Sequence, residues 1–510
     1  MALPVKPSRA RSLALPACVL AALTCATAHA ARPTEGGLWT FADEDEVTSW
    51  DAPGGGLRIH YAVSGPSVTI LDDDDDSGVP DYVEDIAAVA AESLALYAEL
   101  GFRPPVSEAE LGLGELGGSE AFDIYLVDFQ GSADGAFSVD ACASAPRHCA
   151  GWFAIENDFS GYGYASLAAA VDTVVSHELF HAVQAAYDGS QPTWFSEGTA
   201  TWAQRIYWPE SPDFVAKCDA YLELSERPLN KPPSGPVQSF AYGTALFWWF
   251  LHERHGAALD VALQLASESS DGEDVDIVAG VAAALEAADD SLEAAWIEFV
   301  RLNLATGPRA GVVEGYDFAD QLDGILATAS GPTFADDDER ISPLAARYYH
   351  IEHAGGPLAA GVDTLHPQLR FSLHPVAEGA LDGPVEAEVL EWSADLTGPI
   401  DLGERAAGGY WIVATLPANL DSSAKTGLCI GPPDFVAECF PDEGGDDEGD
   451  EGDETGGDEA GDDESGGDSA GLDDEGGCSC DASSPAHRRG SLSLVLLSLV
   501  GALRRRRSPS

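Results

Sequence analysis

Positive charge is scarce in this chain of 510 residues, which has 25 lysines and arginines against 87 aspartates and glutamates. Lysine is nearly absent, and the formal net charge is −62 at pH 7. We expect no binding to nucleic acid or to anionic membrane surfaces, because both repel an acidic protein. The same charge should attract divalent cations, although its main effect can simply be to keep the protein soluble.

A long apolar run is also missing. The apolar stretch at 490–503 is shorter than the about 20 residues that a spanning helix needs. At the other end, Lys6, Arg9 and Arg11 form a basic start, 13–23 is mostly apolar, and small residues follow at Ala28 and Ala30. This order is typical of an export signal, so we predict a signal peptide at 1–30.

The C-terminal part is predicted to have no core. Residues 441–477 are rich in acidic residues and glycine, which indicates a disordered, self-repelling linker. Cys478 and Cys480, the apolar run and four arginines at 504–507 then close the chain. This segment, 478–510, resembles the myxobacterial C-terminal sorting signal, MYXO-CTERM. The resemblance implies cleavage near the cysteines and attachment at the cell surface through one of them.

The expected location follows from these two ends. We predict an exported protein, held at the cell surface (outer membrane) or secreted, which meets the export and C-terminal sorting machinery. It would contact the membrane only through its tail, with a permanent anchor as the alternative. Export makes two small disulfide loops reasonable, Cys142–Cys149 and Cys429–Cys439, whereas Cys218 has no obvious partner.

The predicted fold class is α+β. Strand patterns at 56–63, 123–128 and 152–157 precede a region dominated by helices. The predicted helices cover 82–100, 166–187, 193 to before 209, 242–255, 274–287 and 291–304. Short strands at 348–351, 369–373, 385–390 and 410–415 then predict a small β-sandwich-like domain at 330–440.

A metal-binding pattern lies on the second predicted helix. His177-Glu178-Leu179-Phe180-His181 places two histidines four residues apart, so both imidazoles lie on one helix face and can meet one ion. Glu178 leaves the helix beside that face. Glu197, on the next helix, can turn back toward the histidines, and two His with one Glu leave one coordination position open, as in catalytic zinc sites.

These residues resemble the gluzincin zinc peptidases, which share H-E-x-x-H and a downstream helix with E-G-x-A, here Glu197 to Ala200. The resemblance covers roughly residues 120–305. It implies a zincin-like metallopeptidase domain at 31–310, a Zn²⁺ cofactor, and Glu178 as the base that activates water. The loop after His181 is shorter than in the aminopeptidase and thermolysin-like branches, and Thr201 replaces an acidic residue that some members carry.

Further site residues are predicted around this pattern. Tyr242 is the candidate stabiliser of the oxyanion, although a half-buried aromatic at a helix start is an equal interpretation. His252 and His255 fit a polar helix face better than the site. Glu156, in a segment that faintly resembles the G-A-M-E-N of gluzincin aminopeptidases, is a candidate for binding a substrate's free amine. The same segment also fits an edge strand beside the cleft.

An acidic turn at 72–84 fits a calcium loop. Its ligands would be Asp73, Asp75, Ser77, the Val79 carbonyl, Asp81 and Glu84. No helix is predicted before the turn, so a solvated acidic turn is the alternative.

The sequence as a whole predicts an exported zinc-dependent endopeptidase acting on peptides or proteins, with Zn²⁺ as its cofactor and structural Ca²⁺ at the acidic turn as the second candidate ion. An aminopeptidase on the same scaffold and a catalytically inactive surface adhesion or binding protein remain the alternatives.

Overall fold

The computed structural model describes residues 31–440 except 38, 234–238, 270–271, 312–314, 377–382, 386–389, 395–397 and 418–421, and also the backbone of 477–479. Apart from those three residues, the predicted signal peptide, acidic linker and sorting tail lie outside the described residues. The described part has mixed sheets and helices, so the α+β class is confirmed. No described helix is long and apolar enough to cross a membrane.

The N-terminal region forms a mixed sheet. Its elements are β1 (Glu46–Asp51), β2 (Leu57–Ser64), α1 (Asp81–Leu100), β3 (Phe122–Val127), β4 (Gly135–Cys142) and β5 (Cys149–Glu156). The strand order is β1-β2-β3-β5-β4, with β2, β3 and β5 parallel and the other two antiparallel. The edge-strand interpretation of 152–157 is therefore wrong, because β5 lies between β3 and β4. β4 itself was not predicted.

Eight helices follow in the described residues. They are α2 (Leu167–Ala185), α3 (Thr193–Tyr207), α4 (Pro212–Leu222), α5 (Ser239–Gly243), α6 (Ala245–His255), α7 (Ala257–Ala266), α8 (Ile277–Ala287) and α9 (Leu292–Leu304). The single helix predicted at 242–255 is two helices, with Tyr242 on the first and the break at Thr244. α4 and α7 were missed. α7 starts directly after Gly256, whose φ of +72° ends α6.

The C-terminal region is built from strands. These are β6 (Ala329–Gly331), β7 (Phe334–Ile341), β8 (Ala346–His353), β9 (Gly356–Val362), β10 (His366–Pro375), β11 (Leu390–Ala394), β12 (Gly398–Arg405), β13 (Gly408–Thr415) and β14 (Ala424–Gly431). α10 (Pro433–Cys439) follows, and β15 (Gly477–Ser479) pairs along β4. One sheet has the order β11-β10-β13-β8-β6 and the other β12-β9-β14-β7. The predicted strand at 385–390 lies partly outside the described residues.

Two large apolar cores stabilise these regions. One contains side chains from the first sheet, α1 and the helices, and the other is shared by the two C-terminal sheets. Tyr348 and Trp411, on β8 and β13, pack into the first core. Trp296 on α9 donates a hydrogen bond to Thr415 Oγ1 at 2.8 Å. The sheet that contains β8 and β13 is thus packed directly on the helical region.

Candidate metal centre

α2 is buried on nearly every side, which positions its polar residues firmly. Ser166 caps the helix, its Oγ accepting a hydrogen bond from the Ala169 amide at 3.1 Å. β4, β5, α1 and α3 pack around the helix. His177, Glu178 and His181 are each at most 3% exposed. Histidines on the polar face of a surface helix would be solvated, so burial favours a role in a specific site.

Three ligand atoms converge at this point. His177 Nε2 lies 3.1 Å from His181 Nε2 and 3.2 Å from Glu197 Oε2. His181 Nε2 lies 3.5 Å from the same carboxylate oxygen. The other oxygen, Glu197 Oε1, is buried without a hydrogen-bond partner among the described residues. His177, His181 and Glu197 therefore form a buried group that could hold a metal ion, as the residue spacing predicted.

The charges of these three groups depend on one another. Burial opposes the charged form of His181, but the Glu197 carboxylate outweighs burial and raises the pKa of His181 to about 9. Burial also opposes the ionised form of Glu197, yet the two histidines hold its pKa at about 2. Burial lowers the pKa of His177. The protein alone thus has a proton on His181 opposite a Glu197 carboxylate, and a metal ion bound there would displace that proton.

Gln184 orients His181 and was missed in the sequence. Its Nε2 donates hydrogen bonds of 2.7 Å to the Ser196 carbonyl and to Thr199 Oγ1. The amide oxygen therefore faces His181 and accepts a 2.7 Å hydrogen bond from Nδ1. This fixes the tautomer that leaves the Nε2 lone pair for a metal. Gln184 lies one turn after His181 on the same helix face, which is the signal that could have revealed it.

Two glycines allow the close packing that the site requires. A Cβ on Gly135, the first residue of β4, would lie 2.7 Å from Glu178 Oε1 and 2.6 Å from Val174 Cγ1. A Cβ on Gly198 would lie 2.1 Å from Thr244 Oγ1 and 2.5 Å from Trp248 Nε1. Gly135 therefore lets the sheet reach the Glu178 side chain, and Gly198 lets the Glu197 helix pack on α6.

Tyr242 lies beside His177, and its role as stabiliser of an oxyanion stays a prediction. Its ring centroid is 5.7 Å from that of His177, and the side chain is 2% exposed. His177 and Tyr242 line one narrow cleft with a free volume of about 20 Å³. His252 and His255 instead pair with Asp260 and Asp290, at 2.6 and 2.9 Å.

Glu156 is engaged by the protein. Its Oε2 accepts hydrogen bonds from the Phe129 amide at 3.0 Å and from the Tyr162 hydroxyl at 2.9 Å. Burial raises its pKa to about 7. Glu156 is not among the residues that line the cleft beside His177. Its binding of a substrate amine stays a prediction.

The acidic turn brings together only part of its predicted ligand set. Asp73, Asp75 and Asp81 place carboxylate oxygens within 4.8 Å of one another. Ser77 Oγ instead donates to the Val79 carbonyl at 3.2 Å, and Glu84 is not a member of the group. Amides of the turn also bond to Asp73, as at Gly78 with 2.9 Å. Calcium binding stays a prediction.

The cysteines lie as their spacing indicated. Cys142–Cys149 and Cys429–Cys439 form disulfide bonds, with S–S distances of 2.01 and 2.11 Å. Cys218 is a buried free thiol on α4, and burial raises its pKa. The first disulfide links the ends of β4 and β5 and so braces the strand that contacts Glu178.

A scan of protein-family models matches no family, and a comparison with curated proteins finds no similar sequence. The chemistry of the site is therefore inferred from its geometry.

Proposed function

We propose that this chain is an exported zinc-dependent peptidase that cuts internal peptide bonds, with a zincin-like catalytic domain and a β-sandwich accessory domain. The convergence of His177, His181 and Glu197 on one buried point carries the proposal. Two imidazoles and one carboxylate are a ligand set of catalytic zinc sites, in contrast to the four protein ligands of structural ones.

The donor atoms fit zinc in two further respects. Glu197 Oε1 is buried without a partner among the described residues, an arrangement that is costly unless a cation or a water compensates for it. Gln184 holds His181 in the tautomer that binds a metal through Nε2. Both features support a metal site and are not needed by an ordinary buried ion pair.

The chain's own residues then divide the chemistry of hydrolysis. A zinc ion would supply Lewis acidity, which acidifies water and polarises a carbonyl group. Glu178, wholly buried next to the ligands, accepts a proton from the attacking water and passes it to the departing amine. Tyr242 would donate a hydrogen bond to the oxygen of the attacked carbonyl.

Substitution of Glu178 by Gln tests this proposal, because the amide keeps the shape but cannot accept the proton. The purified protein should contain zinc and cleave an unstructured protein substrate. Glu178→Gln should keep its zinc and its fold while the cleavage rate falls by about 10²–10⁴-fold. Glu99→Gln, an exposed glutamate on α1, is the matched control and should match the unsubstituted protein.

The outcomes separate the competing functions. Cleavage of aminoacyl reporters without cleavage of internal bonds would replace the endopeptidase by an aminopeptidase. Zinc bound without hydrolysis of any peptide would favour a binding protein that retains the fold. Equal activity of Glu178→Gln and the unsubstituted protein would remove Glu178 from the mechanism.

A further inference from the structure

The cleft beside the candidate metal centre is lined mainly by residues with polar groups and contains a buried carboxylate. Asp134 immediately precedes Gly135, the glycine in contact with Glu178, and is 4% exposed. Its Oδ2 accepts a hydrogen bond from the Tyr164 hydroxyl at 2.5 Å. Its Oδ1 is buried without a partner among the described residues. Since Asp134 and His177 line the same cleft, this oxygen is available beside the candidate centre.

Two hydroxyl groups of the cleft are also buried without a hydrogen-bond partner among the described residues. Thr173, one turn before His177 on α2, and Thr201, one turn after Glu197 on α3, are 4% and 1% exposed. Neither Oγ1 has a hydrogen-bond partner among the described residues, and both side chains line the cleft. Three buried oxygen atoms without partners in one cleft are costly, because each has lost its hydration. Together they match a ligand that donates several hydrogen bonds.

The remaining charges in the cleft leave it negative. Lys217 and Asp213 also line it, so with Asp134 there are two carboxylates and one ammonium group. The Lys217 ammonium lies 4.6 Å from the centre of the Tyr242 ring, and Asp213 accepts a 3.1 Å hydrogen bond from Gln204. The net charge of the whole chain, −62, further favours the approach of cations.

We propose that the cleft, which has room for a group the size of a water molecule, seats the ammonium group of a basic substrate side chain next to the bond that is cut, and that Asp134 selects it. The proposal rests on the peptidase function proposed above. A lysine ammonium group has three N–H donors and no acceptor, which matches the three oxygen atoms of Asp134, Thr173 and Thr201. The residue that flanks the cut bond must lie by His177, and His177 forms part of the cleft wall.

The test compares peptides that differ in one charge. Fluorogenic peptides carry lysine or its uncharged analogue norleucine on either side of the cut bond, with a glutamate peptide as a third probe. The unsubstituted protein should prefer lysine over norleucine in kcat/KM by at least about tenfold, the value of one hydrogen bond to a charged group. Asp134→Asn should abolish most of this ratio, since asparagine keeps the acceptor for Tyr164 but loses the charge.

Further variants distinguish a specific loss of lysine selectivity from a general effect of misfolding. Thr201→Val should reduce the lysine-to-norleucine ratio by a smaller factor, because it removes one neutral hydrogen bond. Asp128→Asn, which changes a carboxylate that does not line the cleft, should leave the ratio unchanged. An equal rate for lysine and norleucine peptides, or an unchanged ratio in Asp134→Asn, would overturn the proposal. A preference for glutamate would assign selection to Lys217 instead.

A binding measurement separates this proposal from the proposed function. Fluorescence anisotropy of the same peptides on the zinc-loaded Glu178→Gln protein needs no hydrolysis. Lysine peptides should bind about tenfold or more tightly than norleucine peptides, and adding Asp134→Asn should remove the difference. If the unsubstituted protein cleaves nothing but this difference persists, the peptidase function fails and the basic-side-chain pocket stands. If the unsubstituted protein cleaves peptides but lysine and norleucine peptides bind equally well, the peptidase function stands and the basic-side-chain pocket fails.

Discussion

Two clusters of buried ionisable groups among the described residues differ in where the positive charge comes from. At the Arg32 cluster, defined by Arg32, Glu108, Asp123 and Asp140, the chain supplies its own cation. The Arg32 side chain is wholly buried and pairs with all three carboxylates, with 2.6 Å to Asp140 Oδ2. At the candidate metal centre the carboxylate of Glu197 faces two histidines, and one of its oxygens has no partner among the described residues.

This difference indicates a structural role for one cluster and a binding role for the other. Arg32 donates through Nε and both terminal nitrogens, one of which also reaches the Tyr125 hydroxyl at 3.3 Å. Because the donors of this guanidinium are used within the protein, the Arg32 cluster has no group left with which to bind a ligand. The centre at His177 has two facing nitrogens and a carboxylate that only a proton or an added cation can reconcile. The sharpest tests therefore remove the internal cation from one cluster and the ligand from the other.

Arg32→Met should cause the largest loss of stability. It leaves three carboxylates in a buried site without their cation, and breaking a buried pair costs about 3–5 kcal/mol of unfolding free energy. The measurement is urea denaturation near neutral pH. Arg58→Met is the control, since the exposed Arg58–Asp51 pair, at 2.8 Å, is worth about 0–1 kcal/mol. Losses of equal size in both variants would contradict a structural role for the Arg32 cluster.

Glu197→Gln should abolish high-affinity metal binding with little loss of fold. The amide carries no negative charge to offset the cation, so we expect a fall larger than the about 10- to 100-fold that an outer partner causes. Competition with a zinc chelator measures the affinity, and circular dichroism checks the fold. Zinc bound as tightly as in the unsubstituted protein would require a different ligand set.

Gln184→Leu should have an intermediate effect on the same centre. Without the amide, His181 loses the acceptor at Nδ1, and zinc affinity should fall by about 10- to 100-fold. Gln191→Leu is the control, because Gln191 bonds only to Gln264 and Ser267 among the described residues, at 2.9 and 2.7 Å. An affinity that is the same in both variants would show that Gln184 only joins the two helices.

The three candidate metal ligands could be predicted because a helix has a fixed period. Residues His177 and His181 lie on one face whatever surrounds them, and the short connection after α2 brings α3 and Glu197 back beside them. Gln184 follows from the same period, whereas the family resemblance points to a supporting residue after Glu197, at Thr201. The strong helix and strand patterns likewise gave α1, α2, α3, β3 and β5.

The rest depends on contacts between distant parts of the chain. Gly135 is required only because β4 packs on α2, and β4 could not be placed without the sheet order. Arg32 meets carboxylates from three separate segments, so no local pattern marks it as buried. From the sequence, Asp134 is an ordinary loop residue before Gly135, and only the tertiary structure places it in the cleft beside His177. Such roles need the tertiary structure.

Glu156 provides a third case, a buried carboxylate that pairs with no cation among the described residues. The hydrogen bonds described above come from two neutral donors, the Phe129 amide and the Tyr162 hydroxyl. Burial raises the pKa of Glu156 from the usual 4.5 to about 7. Because the folded-state pKa is above the unfolded one, Glu156 contributes stability that is present below pH 4.5 and is lost as the pH rises through about 7. Glu156→Gln cannot ionise at this position. Its unfolding free energy should therefore increase relative to that of the unsubstituted protein as the pH rises from 4.5 to about 7. Urea denaturation of both proteins at pH 5 and pH 8 measures the gain. A constant difference across this range would mean that Glu156 stays ionised and has a positive partner, and so belongs with Glu197.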